Sequence, residues 1–131
     1  MTNRISEYPS ICIDLKKSRI RIHQKTLHLL SDPDYIEILV NPSSRCFVIR
    51  KSTRRKNSHC TMNNRLPGDK QCFELYSREF IQEIRTVTNG FESFKSYKII
   101  GIINPDRTAA IFSLDSALPI DVGKGKDLYV C

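Results

Sequence analysis

Hydrophobic and polar positions alternate along this chain with a period that changes several times, and the changes mark out its elements. Ile36-Glu37-Ile38-Leu39-Val40 and Cys46-Phe47-Val48-Ile49 are apolar runs on either side of Asn41-Pro42-Ser43-Ser44. β-Branched and aromatic residues suit a pleated, half-buried surface. Proline presets φ for the first inner position of a turn, and the preceding asparagine bonds back to the backbone. Residues 35–50 are therefore predicted to form a hairpin. The pattern returns in residues 98–114, where Ile103-Asn104-Pro105 matches Val40-Asn41-Pro42 and a second hairpin is expected over 97–114.

Each hairpin follows a short helix-like stretch. Leu27, Leu29 and Leu30 give residues 24–31 a helical stripe that Asp32-Pro33 ends, because the residue before proline is pushed out of the α region. His28 is expected to be partly buried in that leucine cluster. In the second copy, Cys72-Phe73-Glu74-Leu75-Tyr76 reads as a strand, and Ser77 caps a helix over 78–85 with Glu79 in its first turn. Asn89-Gly90 is expected to close this helix, with Phe91 and Phe94 packed beneath it. Upstream, Ile11, Ile13 and Leu15 alternate, as do Ile20 and Ile22, so two more strands precede the first helix. Arg19, Arg21 and His23 then share the opposite face of their strand. The fold class is α+β: a β-rich single domain, 1–131, with two Asn-Pro hairpins each preceded by a short helix as an internal repeat. Residues 1–9 read as a flexible N-terminal arm, 51–70 as a basic connector carrying at most one irregular strand, and 115–131 as a C-terminal arm.

Composition narrows the function classes. With 131 residues, 40% hydrophobic and 27% charged, the chain has the makeup of one soluble domain. No apolar run approaches the roughly 20 residues of a membrane span, and cytoplasmic residence is expected. Five scattered cysteines do not resemble a disulfide framework, and Cys12 and Cys46 are expected to act as small hydrophobes. His59-Cys60 and Cys72 lack the second close pair that zinc needs. No metal and no cofactor are expected. The net charge is +7, of which +6 lies between Arg50 and Lys70. Such a concentration attracts phosphate-bearing partners. A catalyst needs a nucleophile with its base, opposed carboxylates or a metal, and none of these patterns is present. Binding without catalysis is the expectation.

The candidate ligand contacts follow from phosphate and ring chemistry. Arg107 and Thr108 sit at the second hairpin tip, where a guanidinium grips phosphate bidentately and a hydroxyl adds a donor. Arg54 and Arg55 lie in the basic connector, Arg21 on a polar strand face, and Phe73 at the strand-to-helix junction, where an aromatic ring is placed to stack on a base.

Two family resemblances attach to these residues. The twice-repeated order of strand, helix and hairpin, over residues 19–49 in the first copy, resembles the swapped-hairpin barrels of AbrB and MraZ regulators. Those proteins usually join helix to hairpin through Gly-Asp, where this chain has Ser31-Asp32-Pro33-Asp34. The pattern R-I-x-x-K-T-L-x-x-L-x-x-P-x-Y-I-x-x-L-V-N-P, met here from Arg21 to Pro42, is similar to small phage proteins, with Glu74-Leu75-Tyr76-Ser77 resembling the start of their second half. Through it the chain resembles the Thoeris anti-defence sponges of phages. That resemblance implies a β-rich homo-oligomer in the host cytoplasm. It would sequester cyclic ADP-ribose isomers and cyclic oligonucleotides without hydrolysing them, with arginines on phosphates and an aromatic ring on adenine. The alternatives are a DNA-binding transcriptional regulator of AbrB/MraZ type, with nucleic acid as partner, and an anti-CRISPR inhibitor of a host nuclease complex.

Overall fold

A computed structural model describes residues 8–53, 56, 58–61, 72–88, 91–92 and 94–120. The alternating segments become two antiparallel five-stranded sheets. The first contains β1 (Ser10–Asp14), β2 (Arg19–His23), β6 (Cys72–Tyr76), β7 (Ser96–Ile100) and β10 (Leu118–Ile120), in the order β10-β7-β1-β2-β6. The second contains β3 (Tyr35–Asn41), β4 (Cys46–Ser52), β5 (His59–Cys60), β8 (Ile102–Ile103) and β9 (Ala109–Ser113), in the order β5-β3-β4-β9-β8. Alternation aims one set of side chains inward from each sheet. Ile11, Ile13, Ile20 and Ile22 share a core with Ile36, Phe47, Ile49 and Phe112, all fully buried. Each such side chain contributes about 1.5–3 kcal/mol relative to exposure. Phe47 and Phe112 meet edge to face at 6.3 Å, the arrangement aromatic quadrupoles favour.

Two short helices complete the core. In α1 (Gln24–Leu29) the first turn is capped by His23, whose Nδ1 accepts from the Lys25 amide at 3.0 Å. Ser31 and Asp32 then leave the helix with φ of 65° and 52°, ahead of Pro33. His28 is more exposed than its leucine neighbours implied and bonds Asp32 at 2.6 Å. In α2 (Arg78–Val87) Ser77 accepts from the Phe80 amide at 3.2 Å, as its place before the apolar stripe predicts. The far end is closed by Thr88, whose buried hydroxyl donates to the Ile84 carbonyl at 2.6 Å. Asn89 and Gly90, expected to close it, lie outside the described residues. Phe91 stacks on Tyr97 at 4.0 Å, but Phe94 is 66% exposed and not packed beneath the helix.

The internal repeat is visible in the pairing. In the second sheet β3-β4 and β9-β8 form a palindrome about the β4–β9 contact, where Val48 faces Ile111. The hairpin registers match as well: Leu39 opposes Val48 as Ile102 opposes Ile111. β2 and β6, which lead into the two helices, likewise pair with each other. The second hairpin is nevertheless not one continuous ribbon over 97–114. β7 belongs to the first sheet, and the chain crosses to the second at Gly101. A Cβ there would stand 2.4 Å from the Ile111 carbonyl oxygen and 2.6 Å from Phe112 Cδ2, so only glycine fits the crossing.

The arms and connector take partial shape. Lys51 and Ser52 extend β4, while β5 pairs with Tyr35 and Ile36. Thr61, fully buried, donates to the Pro33 carbonyl at 2.7 Å. The C-terminal segment supplies β10, and Pro9 accepts from the Gly101 amide at 2.9 Å. Cys12 is buried but disulfide-bonded, which corrects its reading as a simple buried thiol; Cys46, Cys60 and Cys72 form no disulfide. Among the described residues no helix is long and apolar enough to cross a membrane.

Candidate functional site

An open cleft of about 460 Å³ lies between the end of α1, β8 and the second hairpin turn. Leu29, Ile102, Ile103 and Pro105 give it apolar walls, and Tyr8, Asn104 and Arg107 bring a phenol, an amide and a guanidinium. Tyr8 is 51% and Ile102 57% exposed, so an aromatic ring and an aliphatic side chain stand open to solvent there.

The turn that carries Arg107 is built by Asn104. Its Oδ1 accepts from the Thr108 and Ala109 amides at 2.8 and 3.0 Å, and its Nδ2 donates to Thr108 Oγ1 at 2.7 Å. Arg107 closes the turn by donating its amide to the Asn104 carbonyl at 2.9 Å, with φ at 59°. A left-handed arginine costs free energy that these bonds offset. Asn104 is thus the turn-former its sequence context predicted, and Asn41 repeats the role by accepting from the Ser43 and Ser44 amides. Among the described residues the Arg107 side chain meets no hydrogen-bond acceptor or carboxylate. Thr108 uses its oxygen on Asn104, which leaves its hydroxyl hydrogen free to donate.

The first turn carries an arginine in a different situation. Arg45, also left-handed at φ 55°, donates from Nε to Asp115 Oδ1 at 2.8 Å. Its Nη1 donates to the Val87 carbonyl at the end of α2, at 2.6 Å. The positive side chain there also complements the helix C-terminus. Each hairpin tip therefore sits beside the helix of the other half, the first against α2 and the second beside the cleft that ends at Leu29 of α1.

Of the other predicted contacts, Phe73 is corrected. It is fully buried in the core and offers no face to a ligand ring, because alternation along β6 turns it inward with Leu75. Arg21 does share the outer face of β2 with Arg19 and His23, but it donates to Glu74 at 2.6 Å and is not a cleft residue. Glu74 also meets Arg19 at 3.6 Å, and Arg19 meets Asp14 at 3.1 Å, so this face is an ion-pair network. Burial lowers the His23 pKa below 6.5, with Lys25, Lys98 and His28 adding to the shift, and raises that of the Cys72 thiol. Arg54 and Arg55 lie outside the described residues. The connector that holds them leaves β4 beside the second turn, since the Lys51 amide donates to the Thr108 carbonyl at 2.9 Å. Arg50, at its start, is engaged by Glu37 at 2.8 Å.

Tyr8 and Ile102 escaped the sequence reading. Tyr8 falls in a segment without periodicity, and Ile102 reads as one more hairpin residue; no local signal shows that the two share a cleft. Among the described residues no three His, Cys, Asp or Glu side chains are grouped to hold a metal ion. Comparison of the chain with family models, curated proteins and solved structures finds no match.

Proposed function

We propose that this protein binds and sequesters phosphate-bearing cyclic nucleotide signals, of the cyclic ADP-ribose or cyclic oligonucleotide kind, without breaking them. In this reading it is a phage or mobile-element protein that blocks a host defence by removing its messenger, and it works as a homo-oligomer. The observation that carries the reading is the Arg107 guanidinium, which meets no acceptor among the described residues and borders a cleft with aliphatic walls that also exposes Tyr8. A guanidinium binds phosphate oxygens and an exposed ring stacks on a base, and the cleft is within the size range of small-molecule sites. The basic connector, which begins beside the same turn, adds long-range attraction for anions.

The test is a thermal-shift series with cyclic ADP-ribose isomers, cyclic trinucleotides and duplex DNA. A true ligand at about 100 times its dissociation constant stabilises by about 2.7 kcal/mol, and heating the complex releases it intact. Arg107→Ala abolishes that shift. No response to any cyclic nucleotide refutes the reading. A second reading, a DNA-binding regulator of swapped-hairpin type, is favoured by the exchange of hairpin tips between the two halves. It predicts a DNA mobility shift that weakens steeply with salt and survives Arg107→Ala.

A further inference from the structure

The two halves carry an arginine at neighbouring positions of equivalent turns, both left-handed, each beside the helix of the opposite half. At Arg45 the chain supplies the partners itself: one anionic oxygen from Asp115 on Nε and one neutral carbonyl oxygen from Val87 on Nη1. At Arg107 no such partners exist among the described residues, and a cleft occupies the corresponding place. We infer that the two turns are versions of one anion-binding device, the first filled by Asp115 and the second open, and that the open one takes a nucleoside phosphodiester.

The internal occupant defines the ligand chemistry. Arg45 is satisfied by a single negative charge together with one uncharged acceptor, so Arg107 needs no more than that. A phosphodiester carries one negative charge, and a ribose or base oxygen beside it supplies the neutral acceptor. The nucleoside then has Ile102 and Ile103 along its apolar surface and the Tyr8 ring within the same cleft. Additional phosphates gain little, because the described residues lining the cleft offer one cation, and positive charge farther along the chain acts on the encounter through screening solvent more than on the bound group. Asp115 and Val87 are fixed to the fold, whereas the occupant of the second turn is exchangeable. This inference rests on the reading of Arg107 as the anion contact of the cleft, and it narrows that contact to a singly charged group.

The probe is 3′,5′-cyclic AMP, a nucleoside phosphodiester, titrated calorimetrically into the full-length protein beside adenosine and ATP. Expected are one cyclic AMP per chain, binding of adenosine weaker by about tenfold or more, and ATP within a few-fold of cyclic AMP. Arg107→Ala loses about tenfold or more in affinity, and Arg107→Lys behaves like the alanine variant because it cannot serve two acceptors in the plane of a fork. Arg45→Ala retains cyclic AMP binding while melting at a lower temperature. Adenosine binding as well as cyclic AMP, ATP binding a hundredfold tighter, or an unaffected Arg107→Ala would each overturn the inference. The outcomes separate it from the sequestration reading. Cyclic AMP bound through Arg107, with no response to cyclic ADP-ribose or trinucleotides, keeps the device and discards the messenger. Cyclic trinucleotides bound equally by Arg107→Ala discard the device alone.

Discussion

Replacing Gly101 by alanine tests whether the crossing between sheets is as tightly constrained as its geometry implies. The added Cβ would lie 2.4 Å from the Ile111 carbonyl oxygen and 2.6 and 2.9 Å from two carbons of the Phe112 ring. Carbon contacts relax near 3.5 Å, so the neighbours must retreat by about 1 Å. Neither is free to do so. Ile111 is paired with Val48 on one side and Ile102 on the other, and Phe112 is fully buried against Phe47. Overpacking costs about 1–3 kcal/mol in ordinary cores, and with both neighbours anchored the upper end, about 3 kcal/mol, is expected. For a chain of this length that lowers the melting temperature by about 10 °C. Urea unfolding followed by far-UV circular dichroism measures it directly, with an unchanged slope expected as the sign of an intact native fold. A loss below about 0.5 kcal/mol, the level of an ordinary surface change, refutes the reasoning. So does full rescue by Phe112→Leu, since the carbonyl would still obstruct the methyl group. Because Ile102 follows directly, the same substitution also disturbs the cleft wall and weakens any ligand that Arg107 holds.

Two further expectations concern the outer faces and pH. Glu74→Ala removes the carboxylate that meets Arg21 at 2.6 Å and Arg19 at 3.6 Å, on a face where Glu74 itself is 13% exposed. A loss of about 2 kcal/mol is expected in chemical denaturation, and stability equal to wild type contradicts a structural role for the network. His23 and His59 both have pKa values lowered chiefly by burial from the ordinary 6.5. The unfolded chain therefore takes up these protons more readily than the folded one, and stability falls as pH drops through about 6.5 toward the lower folded values. Urea midpoints at pH 7.5 and 5.5 check the sign, and His59→Gln reduces the difference.

What the sequence determined by itself is local. The Asn-Pro turns, the Ser77 cap, the exit from α1 before Pro33 and the two-faced alternation of the strands follow from residues within a few positions of one another, and the structure contains them. The matching of Val40-Asn41-Pro42 with Ile103-Asn104-Pro105 also carried over into matching hairpin registers. Tertiary structure decided what faces what. Alternation divides a strand into two faces without saying which is buried, so Phe73 could be read as a stacking ring although it lies in the core. The partner of Arg21 lies across a strand pairing that joins β2 to β6, far apart in sequence. The crossing at Gly101 depends on a carbonyl and a ring that arrive from β9. The cleft needs Tyr8, Leu29 and Arg107 to converge from three separated segments. Short-range rules act through bonds between near neighbours, whereas a site assembled by packing is specified only once the whole core has settled its register.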